Sequence, residues 1–135
     1  MSRHGILSNT LIKTACIWAA LSAVASPTLA LGVGQLSVLS GLGERLNARI
    51  PLSDLQGLTK DQIKAQTADD EHYRTLGAER SYQAIRYTVD VRSDTDGEIQ
   101  LTTEQNISEP FLDLVIEVSW PGGKVLRQYP VLLDP

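Results

Sequence analysis

The chain has 135 residues, with twelve lysines and arginines against sixteen acids, two histidines, one cysteine and a formal net charge of −4. An acidic chain with few aromatic residues is a poor binder of nucleic acid, whose phosphates need a basic surface, and of anionic lipid. A single cysteine excludes an internal disulfide framework and a thiolate metal cluster.

The first thirty residues differ in kind from the rest. Arg3, His4 and Lys13 make a basic start, and no acid precedes Glu44. An apolar run from Ala15 to Ala25 comes next, broken by Ser26-Pro27 and then Thr28-Leu29-Ala30, with small residues where a signal peptidase reads. This is the three-part layout of a secretory signal. The run is short for a spanning helix, which needs roughly 20 residues, and Pro27 would disturb an extension. The expectation is a signal-peptide helix over residues 1–30, cut after Ala30, with Ala25 as a second cut site. An uncleaved anchor is the other reading, and only then would the chain be held at a membrane. Cys16 lies in the apolar run, and Lys13 just upstream argues against a lipoprotein signal. Residues 31–135 then carry no cysteine, ten basic and sixteen acidic side chains, for a net of −6. A domain of this size buries roughly two-thirds of its unfolded surface, enough for an ordinary apolar core.

Two-residue alternation governs the chain from there to its end. Leu36 and Val38 begin a strand, Gly41-Leu42-Gly43 turns the chain, and Leu46, Ala48, Ile50 and Leu52 share one face of the next. Thr59 and Gln62 have the spacing of a capping box, residues 63–67 read as a strand, and Asp69 can cap a short helix through Leu76, stopped by Gly77. From Ile85 to Arg92 every odd position is apolar and every even one polar. Asp94-Thr95-Asp96-Gly97 reads as a hairpin loop in which Gly97 takes a positive φ. Ile99, Leu101 and Thr103 continue the alternation. Leu112, Leu114, Ile116, Val118 and Trp120 then form a full apolar row, and after Pro121-Gly122-Gly123 a second apolar-rich strand runs to Leu133. These two read as a hairpin placed centrally in a sheet, with Pro130 needing an edge, a bulge or an outward nitrogen. The fold class expected is all-β with one or two helical turns, an immunoglobulin-like antiparallel β-sandwich, as one domain over residues 31–135.

No catalytic constellation is legible. His72 is the one histidine beyond the signal, and Asp69-Asp70-Glu71-His72 is better read as a helix start than as a metal site, because the helix dipole gathers acids there. Asp113 and Glu117 share a strand face without being singled out as an acid–base pair. Gly32-Val33-Gly34 and Gly41-Leu42-Gly43 lack the strand–turn–helix setting of a phosphate loop. Asn106-Ile107-Ser108 matches the glycosylation triplet, a pattern common by chance. Trp120 is expected to pack in the core or against its turn. No catalytic, cofactor-binding or metal residue is assigned, and no cofactor is expected.

The run from Leu31 to Ser40, the stretch from Arg45 to Leu52 with Pro51, and the ending from Glu109 resemble the N-terminal periplasmic domain of the FimV/TspA family. That ending carries Pro110, Phe111, Trp120, Pro121, Gly122 and Tyr129 and closes on Leu132-Leu133-Asp134-Pro135. These signature positions are expected to be structural. The resemblance implies a non-enzymatic periplasmic protein-interaction module of Gram-negative bacteria, associated with type IV pilus assembly, twitching motility or envelope organisation. Its partners would be envelope or pilus-assembly proteins. Family members continue into a LysM module, a membrane span and cytoplasmic repeats, none of which this sequence contains, so peptidoglycan binding is not expected. The competing readings are a small envelope enzyme with dispersed carboxylates and a truncated-gene remnant without independent function.

Overall fold

A backbone whose side chains alternate between apolar and polar can bury one face only by pairing into sheets, and this chain does so twice. The computed structural model describes residues 31–80 and 84–135. The expected signal, with Cys16, Ala25 and Ala30, and Tyr82 lie outside the described residues. The strands are β1 (Gly32–Val33), β2 (Ser37–Val38), β3 (Arg45–Ser53), β4 (Lys64–Thr67), β5 (Ile85–Val91), β6 (Gly97–Asn106), β7 (Phe111–Trp120) and β8 (Gly123–Leu132). A 3-10 turn at Lys60–Gln62 and helix α1 (Asp70–Thr75) flank β4.

One sheet runs β1-β3-β6-β5, with β2 also paired to β3, and the other runs β4-β7-β8. All pairs are antiparallel. Counting β1 and β2 as one interrupted strand leaves seven, divided four and three in the constant-type immunoglobulin order. The protein is an immunoglobulin-like β-sandwich, as the periodicity predicts.

The alternating rows supply the core. Ala48, Ile50, Ile99 and Leu101 of the larger sheet meet Leu114, Ile116 and Val118 of the smaller, all 0–2% exposed. Thr103 continues the row of β6 as a buried polar residue. Its hydroxyl accepts from Leu46 N at 2.9 Å and donates to Gln105 O at 2.8 Å. That satisfies the amide freed where the β3–β6 register shifts between Arg45 and Asn47.

Two expectations need correction. Gly97 does not adopt a positive φ; the positive-φ glycines among the described residues are Gly43, Gly57 and Gly77. Gly97 is instead the first residue of β6, where a Cβ would lie 2.6 Å from Asp90 O, so the constraint is close approach across the hairpin. The second concerns the last hairpin: β7 is central, but β8 is an edge strand. Pro130 fits there. It lies opposite Asp113, whose peptide groups face away from β8, so the proline nitrogen points off the open edge.

The flanks of the sandwich are closed by tyrosines. The Tyr87 hydroxyl of β5 bonds Thr67 Oγ1 of β4 at 2.7 Å, and Tyr129 of β8 donates to Gly34 O at 2.7 Å. Burial pushes the Tyr87 phenol up to about 12. Its folded value lies above the ordinary value of about 10, so its stabilisation is full below pH ~10 and lost as pH rises toward ~12. The protein should therefore lose stability between those pH values, and Tyr87→Phe should lose less over the same interval in urea titrations. At neutral pH the same variant should be less stable by about 1 kcal/mol through the lost hydrogen bond. In the core, Ile116→Ala should cost about 2–5 kcal/mol, measured by equilibrium urea unfolding.

Candidate functional site

Surface chemistry starts from the ionisable groups. Asp69 caps α1: its Oδ1 accepts from His72 N at 3.0 Å and lies 2.6 Å from His72 Nδ1. The bond from the His72 amide, reinforced by its ring, holds the Asp69 carboxyl below the usual range. Among the described residues no group of three or more histidines, cysteines or acids could hold a metal ion. Asp113 and Glu117 do share the outer face of β7, but each serves its neighbours. Gln128 Nε2 donates to both Asp113 oxygens at 3.0 and 3.1 Å. Gln66 Nε2 donates to Glu117 at 2.6 Å, and Lys124 Nζ lies 3.2 Å from its other oxygen. The Gln66 and Lys124 bonds lower the Glu117 pKa. These are cross-strand ties across the smaller sheet.

The seven signature residues fall in three places rather than one site. Pro51 and Tyr129 converge on Gly34, the break between β1 and β2. Gly34 N donates to Pro51 O at 2.9 Å, and a Cβ on Gly34 would lie 2.7 Å from the proline ring. Trp120, Pro121 and Gly122 form the β7–β8 turn, where the half-buried indole packs on the core and a Cβ on Gly122 would lie 3.0 Å from its nitrogen. Pro110 and Phe111 lie at the opposite end of β7. Pro110 O accepts from Leu133 N at 2.7 Å, while Phe111 is 50% exposed and faces Leu132, 73% exposed, across the ladder.

The main concavity borders that last place. A groove of about 1440 Å³ runs between the Phe111–Asp113 end of β7 and the facing ends of β3, β5 and β6. Beside it β4 is short. β4 pairs with β7 only as far as Thr67 opposite Ile116. The next rung is half made: Ala68 N donates to Val115 O at 2.9 Å, but Val115 N donates to the Tyr73 hydroxyl at 3.0 Å. Tyr73, with Ala68 and Val115, forms a second small core beneath α1. Beyond that point β7 has no strand beside it among the described residues.

The other edges are less open. β8 carries Lys124, Arg127 and Pro130, residues that discourage strand addition. The β1–β2 edge is broken at Gly34. β5 is flanked by β4 and the 3-10 turn, and tied to β4 by Tyr87. Sequence reasoning missed Tyr73, Gly34 and the groove. Tyr87 stands in phase with an apolar row, a readable sign of burial, whereas the partner of its hydroxyl is set by tertiary approach.

Fold and surface together define an immunoglobulin-like module that offers strand edges and a groove rather than clustered reactive groups. The FimV N-terminal Ig-like domain model matches residues 31–135, and the chain belongs to that family. It is 32% identical over 107 residues to the motility hub protein FimV of two strains of Pseudomonas aeruginosa, a match covering 78% of this chain and 12% of theirs. No solved structure matches the chain. Among the described residues no helix is long and apolar enough to cross a membrane.

The depressed Asp69 pKa makes the α1 cap stabilising above the ordinary carboxylate value of about 3.9. That contribution is lost as pH falls through the lower folded value. Asp69→Ala should therefore lower the melting temperature at neutral pH and lower it less at pH ~2, and carbon-detected NMR titration should place Asp69 below the other exposed aspartates.

Proposed function

We propose that this chain is a non-enzymatic protein-interaction module of the cell envelope, working in type IV pilus assembly or motility. The observation that carries the reading is the family match over residues 31–135, with relatives named as motility hub proteins rather than as enzymes. The chain spans only 12% of those relatives' length, so the role proposed is that of their N-terminal domain and not of the whole hub.

The geometry fits such a role. A sandwich held by an aliphatic core presents a rigid set of edges and loops, and rigid edges recognise extended segments of other proteins. The net of −6 over residues 31–135 favours protein partners over nucleic acid or anionic lipid. The seven signature residues are proposed to be structural, holding the strand break, the β7–β8 turn and the start of β7. Residues 1–30 are proposed as an export signal removed after Ala30, and the domain is proposed to be periplasmic. Leu31, the first residue after the proposed cut, is 6% exposed and part of the core.

Two measurements test this. Mass spectrometry of the exported protein should find an N-terminus at Leu31; a chain beginning at Met1 in the cytosol contradicts export. Deleting the gene in a piliated host should shrink the twitching zone, and tagged protein should enrich envelope or pilus-assembly proteins. Unchanged motility together with no enrichment above an untagged control contradicts the function.

A further inference from the structure

Signal removal, as proposed, leaves a new chemical group on the domain. Water adds its hydroxyl to the Ala30 carbonyl carbon and the C–N bond breaks. The Leu31 nitrogen takes up the two protons released and becomes an α-ammonium, mostly charged at neutral pH. The β1–β3 register fixes where that group lies. Gly32 is level with Ser53 and Val33 with Leu52, so one step back Leu31 is level with Asp54. Gly34 N donates to Pro51 O at 2.9 Å, which makes that pair, and Gly32–Ser53 two residues on, the hydrogen-bonded kind. The position of Leu31 and Asp54 is then the closely spaced, non-hydrogen-bonded kind. Both residues also line one cavity of about 180 Å³ beside Trp120, and among the described residues lining it Asp54 alone is charged.

We propose that signal removal completes the fold: the Asp54 carboxylate accepts the α-ammonium of Leu31 and clamps the start of β1. This rests on the proposed cut after Ala30. Both partners are held in place before they meet. The Leu31 side chain packs in the main core, so its backbone nitrogen cannot drift far. Asp54 opens a loop tied at two points to the β5–β6 loop. Leu55 N donates to Thr95 O at 3.2 Å and Gly57 N to Asp94 O at 2.8 Å, and Leu55 itself is wholly buried. The Asp54 φ of 54° is left-handed, a conformation that aspartate and asparagine adopt more readily than most side chains. A residue already fixed loses little conformational freedom on gaining an ion partner. Strand β1 has only two residues, so its ends decide whether it stays paired. At one end the Tyr129 hydroxyl holds Gly34 O at 2.7 Å. The precursor carries a neutral amide at the other end, and the second clamp forms only after the cut.

NMR on exported protein, purified from cells expressing the full gene and checked by mass spectrometry for its N-terminus, tests the proposal. Asp54→Asn removes the charge while keeping a side chain that tolerates the left-handed backbone. The α-amino group, followed through the Leu31 Cα resonance, should titrate at least about half a pH unit higher in wild type than in Asp54→Asn. The Ser53 amide, opposite Gly32, should exchange about threefold faster in Asp54→Asn, a small factor because Asp54 is exposed. The control is a gene with one glycine inserted between Ala30 and Leu31, which after the cut moves the ammonium by about 3.3 Å. In that background Asp54→Asn should leave Ser53 exchange unchanged, whereas a purely structural Asp54 would show the same acceleration in both. Equal titration midpoints in wild type and Asp54→Asn, or equal acceleration in both backgrounds, overturn the clamp and leave the export reading standing. Should Asp54→Asn fail to fold, a wild-type midpoint no higher than that of the glycine-extended chain overturns the clamp by itself. An exported chain that begins anywhere but Leu31 overturns both the clamp and the proposed cut.

Discussion

One layer of aliphatic side chains holds this domain together. Antibody domains of the same topology carry a disulfide between the second and sixth strands. Here the corresponding β3 and β7 contain no cysteine and meet through Ala48, Ile50, Leu114 and Ile116, all nearly or wholly buried. Stability therefore depends on van der Waals packing and on removal of apolar surface from water. The folded state then does not depend on the redox state of its surroundings, since the residues that form the core hold no thiol to be oxidised or reduced.

Hydroxyl groups finish what the apolar rows cannot. A sandwich leaves two flanks where strand edges of different sheets approach without pairing. Tyr87 closes one flank through Thr67, and Tyr129 the other through Gly34. Tyr73 closes one rung of β7 where β4 gives out. Each side chain contributes a large apolar body to the core and a polar tip to a backbone or side-chain partner. Among the described residues the long edges left are β5, flanked by β4, and β8, blunted by Pro130 and its basic residues. The length of β4 matters for this reason: in its register with β7, five more residues of regular strand would have been needed to reach Phe111.

Most of the fold was legible because burial on one face imposes a period of two. The rows at Leu46 to Leu52, Ile85 to Val91 and Leu112 to Trp120 could be read directly, as could the Asp69 cap, which needs only local spacing. Other features depended on what lies across space. Gly97 and Gly34 look in the sequence like turn or loop glycines, but each is required by an approaching backbone or ring that no local pattern reveals. The edge position of β8 was hinted at by Pro130 and hidden by its apolar content. The groove was not legible at all, since it is lined by residues of β3, β5, β6 and β7 that only the tertiary fold brings together. The signature residues were visible as a set, yet their separation into three places needed the fold.

The central physical claim is that both sheets share one core and open together. It is tested most directly by native-state hydrogen exchange of the Ile99 amide in β6 and the Ile116 amide in β7, followed as a function of urea. A shared core predicts that the two opening free energies converge on the same value and the same denaturant dependence. If Ile116 opens at a distinctly lower free energy than Ile99, with the smaller sheet detaching first, the single-core account is contradicted.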